Sequence, residues 1–271
     1  MKSISNLRSI DLAMFAGQSN MSGRGNAAEA VQCSPLASFE YKAISSPNTL
    51  LPIKEPFGLG EDKTGAIADF DSQGRTKRTG SMVSAVVNEY YALTGRQLAA
   101  VSASIGGSTT SQWMKTYVFD AVERLEKAKK FLAENQYCID KVFLVWCQGE
   151  SDGDAKMTAS DYIANTMSIF HTFQSHGVQK CFVVQTGHYN YLKYPHVREG
   201  LSGMAWDKQY EIIRTAQNSL CQKEKDIILA GSFEPYLEEM KDPFHYTQKA
   251  YNMEGKAVGT SIAHYFTSES L

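Results

Sequence analysis

The sequence predicts an α/β domain built on a parallel, doubly wound sheet. Two observations predict it. Short, continuously apolar runs alternate with longer segments of helical periodicity, and the chain's 271 residues suffice for one large domain of this kind. The first run, Asp11–Ala16, has the apolar continuity of a strand buried on both faces. From Gly23 to Thr79 no periodicity emerges, and Pro35, Pro47, Pro52 and Pro56 punctuate the chain. Residues 23–79 are therefore expected to form a long irregular insertion, the kind of segment that usually carries function. Ser81–Leu93 reads as a helix and Gln97–Ala103 as the second strand. In the next helix, Val118–Asn135, apolar residues recur at Val118, Ala121, Val122, Leu125, Ala128, Phe131 and Leu132, with Lys and Glu opposite. Lys141–Cys147, Cys181–Thr186 and Asp226–Ala230 are the third, fourth and fifth strands. Ser160–His176, Met204–Gln222 and Thr247–Phe266 are the remaining helices. A second irregular stretch, Gly187–Gly203, holds His188, Tyr189, Tyr191, Tyr194 and His196.

Parallel strands joined through helices require right-handed crossovers, which place helices on both faces. The expectation is one domain over residues 1–271 with a five-stranded, flavodoxin-like sheet. Both irregular stretches follow strands at the carboxyl edge of that sheet, where open α/β folds bind their ligands.

Composition excludes several function classes. The 43% apolar content belongs to a folded globular protein, and 27 basic against 29 acidic side chains give a net charge of -2. No basic run is long enough for nucleic acid or a membrane surface, and the short cluster Arg75, Lys77, Arg78 reads as solvated loop. Met1–Asp11 lacks the apolar core of an export signal, and Leu12–Ala16 is too short to span a bilayer, so a cytoplasmic location is expected. Five cysteines, Cys33, Cys138, Cys147, Cys181 and Cys221, are widely spaced and odd in number, as reduced structural thiols are. No His, Cys or Asp grouping has metal-ligand spacing, so neither metal nor other cofactor is expected.

Chemistry concentrates at the strand ends. The first reads Gly17-Gln18-Ser19-Asn20-Met21-Ser22-Gly23. A serine where a buried strand turns exposes its hydroxyl and its backbone N–H; a plain helix N-cap is the competing reading. Neither a Walker-type nor a dinucleotide-type glycine pattern fits this turn. The second strand ends in Ile105-Gly106-Gly107-Ser108 followed by Trp113, and the third in Gln148-Gly149-Glu150-Ser151-Asp152. Before the last helix stands Asp242-Pro243-Phe244-His245, a spacing that lets a carboxylate orient an imidazole. Acyl transfer needs these parts together: a serine, a base to take its proton, and donors preplaced for the oxyanion.

This set of motifs, in this order from Asp11 to the final helix, resembles the SGNH hydrolase superfamily. Within it, the chain looks like the group of sialate O-acetylesterases and the acetylxylan esterases of carbohydrate esterase family six. The resemblance implies Ser19 as nucleophile, His245 as base and Asp242 as its support. It further implies an oxyanion hole of Ser19, Gly107 and Gln148, strand order 2-1-3-4-5, and no metal. Glu150 competes with Asp242 as the partner of His245, or else is a structural acid of the first turn. Gln18, Trp113, His188 and Tyr189 are the candidates for substrate contact. The expected function is removal of O-acetyl groups from a small sugar or oligosaccharide, either a sialic acid or a plant-polysaccharide fragment. A lipase or thioesterase of the same superfamily, or a carbohydrate-binding protein without turnover, are the alternatives.

Overall fold

A computed structural model describes residues 7–63, 69–197 and 200–268. The expectations that fall on residues 1–6, 64–68, 198–199 and 269–271 lie outside the described residues. In chain order the strands are β1 (Arg8–Gly17), β2 (Ser38–Lys42), β3 (Ser46–Pro52), β4 (Leu98–Ser102), β5 (Tyr137–Cys147), β6 (Lys180–Gln185) and β7 (Ile227–Ser232). The helices are α1 (Ser19–Ser22), α2 (Val83–Thr94), α3 (Thr110–Gln112), α4 (Val118–Glu134), α5 (Glu150–Asp154), α6 (Ala159–Ser175), α7 (Gly203–Lys223) and α8 (Gln248–Ser268).

The strands form one sheet in the order β3-β2-β4-β1-β5-β6-β7, parallel throughout except for β3, which runs antiparallel to β2 at one edge. The five expected strands are β1, β4, β5, β6 and β7, each within a few residues of its expected bounds. Among themselves they keep the order second, first, third, fourth, fifth. The strand count of five is corrected to seven, because the insertion is not wholly irregular. Its hairpin β2–β3 adds to the sheet, with β2 pairing along β4 from Ser38 against Leu98 to Tyr41 against Val101. Apolar continuity missed β2 because its buried face includes Ser38 and Glu40. Glu40 accepts the Gly58 N–H at 2.9 Å, and burial pushes its carboxyl up to about 7. Pro47 and Pro52 hide β3 from sequence reading and suit an edge strand, where a missing N–H breaks no ladder.

Alternation along β1 feeds two cores. Ile10, Leu12, Met14 and Ala16 face a layer holding α4 and α6, whose Leu125, Ile169 and Phe170 pack there. Ala13 and Phe15 face the α2 and α8 layer, with Val86, Val258 and Phe266. All five cysteines are free thiols; Cys147 and Cys181 are buried in β5 and β6. With helices covering both faces, the carboxyl edge of the sheet is left for chemistry.

Candidate active site

Strand β1 ends in Gly17 at φ +137, where an added Cβ would stand 2.0 Å from the carbonyl oxygen of Cys147. Only glycine lets β1 and β5 approach this closely before the chain turns. Gln18 N–H then donates to the Cys147 carbonyl at 2.9 Å, and Ser19 opens the one-turn helix α1. Gln18, not Ser19, holds the capping position, and it makes no side-chain cap bond. The N-cap reading of Ser19 thus fails, and its hydroxyl meets an imidazole instead.

That imidazole is His245, whose Nε2 lies 2.9 Å from Ser19 Oγ. Its Nδ1 lies 2.9 and 2.8 Å from the two carboxylate oxygens of Asp242. Asp242 also accepts the backbone N–H groups of Phe244 at 2.9 Å and His245 at 2.8 Å. Burial alone would raise the Asp242 carboxyl, but the bond and charge of His245 and the two amides outweigh it and hold it below its ordinary value. An ionised carboxylate against Nδ1 keeps a proton there and leaves Nε2 as the acceptor for a serine O–H.

Ser19, 7% exposed, opens on a cavity of about 330 Å3. Gln18, Gly107, Glu150 and His245 line it, together with Arg24, Lys77, Ser151, Asp154 and Phe244. Gly107 has φ +68 and is exposed at the cavity wall. The turn that carries it is fixed by Asp69, which accepts the Gly106 N–H at 2.8 Å and pairs with Arg24 at 2.7 Å.

The other expected contacts divide. Gln18 lines the cavity, while its Oε1 accepts the N–H groups of Gly149 at 3.3 Å and Ser151 at 3.2 Å. Glu150 is buried and accepts from the Asn20 side chain, not from His245; burial raises its carboxyl above the ordinary value. Asn20 donates also to the Phe244 carbonyl at 3.1 Å and accepts from Tyr251 at 2.6 Å, so Glu150 braces the turn that carries Ser19.

Gln148 departs from the expectation of a third oxyanion donor. It is 0% exposed and absent from the cavity wall. Its Nε2 is drawn back by Asp152, by the Ser108 carbonyl at 3.0 Å and by Gln18 Oε1 at 3.3 Å. Trp113 is likewise corrected: it is 0% exposed, donates to Ser108 Oγ at 2.7 Å and packs edge-on against Trp146 at 4.9 Å, so it is core and cannot stack on a sugar. His188 stands outside the cavity wall and pairs with Asp207 at 2.7 Å. Tyr189 lines a neighbouring cavity.

Sequence reading missed Arg24, Lys77, Asp154, Phe244 and Asn20. The cluster at Arg75, Lys77 and Arg78 is not simply solvated loop. Arg78 is 2% exposed, bonded to Asp62 at 2.5 Å and to Ser104 at 3.1 Å, while Lys77 reaches the site. Only Asn20 and Phe244 had a signal, their place beside Ser19 and His245 in the motifs. Among the described residues no group of three or more His, Cys, Asp or Glu is arranged to hold a metal ion, and no helix is long and apolar enough to cross a membrane.

Comparison with known proteins bears on the same region. The family model described as carbohydrate esterase, sialic acid-specific acetylesterase, matches residues 9–264. No protein of curated function matches the chain significantly. Among solved structures, a protein from Arabidopsis thaliana is similar with a TM-score of 0.64 at 18% identity, covering 97% of this chain and 99% of that one. NanS gives a TM-score of 0.60 at 13% identity, with 97% and 99% covered. A carbohydrate acetylesterase from Xanthomonas citri gives 0.53 at 16% identity, with 96% of this chain and 57% of that chain covered. At such identities the likeness is one of fold.

Proposed function

Since the chain belongs to the carbohydrate esterase family of sialic acid-specific acetylesterases and is thus a carboxylic ester hydrolase of O-acetylated carbohydrates, we propose that Ser19 is its nucleophile, His245 its general base and Asp242 the carboxylate that orients His245. One observation carries this reading: the unbroken chain from Ser19 Oγ through His245 to Asp242, with separations of 2.9 and 2.8 Å, at the wall of a small cavity.

In this mechanism Ser19 Oγ attacks the acetyl carbonyl as its proton passes to His245 Nε2. Negative charge moves to the former carbonyl oxygen, where the backbone N–H groups of Ser19 and Gly107 are the donors. Collapse expels the sugar oxygen, which takes the proton back from His245, and leaves an acetyl group on Ser19. Water, deprotonated by the same nitrogen, then releases acetate. Asp242 stays ionised throughout and stabilises the imidazolium.

The size and charge of the cavity support an acetyl ester of a small sugar over a long acyl chain. About 330 Å3 is at the low end for ligand pockets, and a wall carrying Arg24, Lys77, Glu150 and Asp154 matches the hydroxyls of a sugar better than a hydrocarbon tail. The test is acetate release by Ser19→Ala from O-acetyl sialic acid, acetylated xylo-oligosaccharide and an aryl acetate. A loss in kcat on the order of 10⁶-fold is expected with the fold intact. Turnover at the wild-type rate by the folded variant would overturn the assignment. No step draws on a metal, so activity is expected to persist in EDTA; loss restored by one added metal would contradict the scheme.

A further inference from the structure

A second cavity of about 620 Å3 adjoins the one at Ser19. The two share Asp154 and Phe244 as walls, so they are two parts of one groove. Beyond that partition the wall is aromatic, with Tyr189, His196 and Trp206 brought in from separate segments. Resting on the esterase reading above, we propose that this second cavity is a subsite for a neighbouring pyranose ring, making an O-acetylated oligosaccharide or glycoside the preferred substrate over a free acetylated monosaccharide.

The groups are built to hold a ring rather than a tail. Trp206, half-buried at the start of α7, donates its indole N–H to Asp154 Oδ1 at 3.0 Å, and Lys156 stands 5.2 Å from its ring centroid. Both contacts restrict the indole before any ligand arrives, which lowers the ordering cost of binding. Tyr210 donates to the same Oδ1 at 2.7 Å, so the exposed Asp154 carboxylate is fixed while Oδ2 keeps its capacity to accept. Tyr189 is pinned by its backbone N–H to Asp207 Oδ1 at 2.8 Å, and its ring meets Phe244 edge-on at 6.0 Å. Phe244 in turn meets the His245 ring at 6.1 Å, so one aromatic side chain separates the acetyl site from the second cavity. A pyranose offers C–H faces to aromatic rings and a rim of hydroxyl donors to a carboxylate. An acyl chain would match the rings but offer no donor to Asp154 Oδ2 while removing it from water.

The test uses the full chain in two backgrounds. In Ser19→Ala, calorimetry compares O-acetylated xylobiose with O-acetylated xylose, and O-acetylated sialyllactose with free O-acetyl sialic acid. The larger member of at least one pair is expected to bind about tenfold more tightly. Adding Trp206→Ala should lower that ratio toward one, and Trp206→Phe, which keeps a ring, should restore part of it. The arm that responds identifies the glycan class. Equal affinities within both pairs, or a Trp206→Ala loss shared equally by both members, overturns the subsite. With Ser19 intact, kcat/KM for aryl octanoate exceeding that for aryl acetate, with the excess removed by Trp206→Ala, would assign the cavity to an acyl chain and overturn it too. Binding is read without turnover, so a wild type that hydrolyses no acetyl ester would sink the esterase mechanism and leave this ratio measurable.

Discussion

Asp242 and Glu150 are carboxylates of the same site, yet their surroundings push their protonation in opposite directions. Asp242 is held below its ordinary value by His245 and two backbone amides, whereas Glu150, buried, is raised by desolvation and answered chiefly by the Asn20 amide. The two therefore differ in what their loss should do. Asp242→Asn is expected to lower kcat by up to about 10⁴-fold with little change in thermal midpoint, since the imidazole loses its oriented tautomer while the shape is kept. Glu150→Gln should reduce kcat far less and act on stability, with a pH signature. A carboxyl raised in the folded state is protonated there after the unfolded chain has lost its proton, so it weakens the fold as pH rises. The Gln variant should thus gain on the wild type in alkaline buffer. If Glu150→Gln proves the more damaging to kcat with its stability intact, His245 takes its support from Glu150. At this scale the sequence is informative where a motif itself contains both partners, as in Asp242-Pro243-Phe244-His245. It is silent where partners come from elsewhere. Nothing in the turns after β1 and β4 announces that Asp69, from the long connecting segment, joins Arg24 to the Gly106 N–H.

The seam between β7 and α8 carries another buried acid. Glu254 lies in the second turn of α8, is 2% exposed, and burial pushes its carboxyl up to about 8 from an ordinary 4.5. Below pH 4.5 folded and unfolded chains both hold this proton; between 4.5 and 8 only the folded chain does, so stability falls across that window. Glu254→Gln should therefore raise the thermal midpoint at pH 9 by several degrees and at pH 4 very little, at about 2–4 °C per kcal/mol for a chain of this size. An equal shift at both pH values would show that packing, not charge, decides the seam. Elements with both faces buried were readable because a short, continuously apolar run bounded by turn residues has few places to go except the middle of a sheet. The hairpin β2–β3 was not, since a strand that buries Ser38 and Glu40 and an exposed edge strand carrying prolines show neither the alternation nor the continuity that sequence reading relies on.

At the scale of the molecule, that hairpin removes the distinction between insertion and domain. With β2 laddered to β4, the segment 23–79 is expected to melt together with the central sheet. Thermal unfolding followed by far-ultraviolet dichroism and by residual esterase activity should give coincident midpoints; activity lost in a separate, earlier transition would mean that the segment is a unit of its own. Asp69 extends the same coupling to the chemistry. It belongs to the long connecting segment, yet its two oxygens tie Arg24 after β1 to the Gly106–Gly107 turn after β4. The connecting segment is thereby stitched to two of the turns that line the Ser19 cavity, and it is not an independent cassette. A chimera that imports another relative's connecting segment inherits that substrate wall only if it also supplies a carboxylate where Asp69 stands.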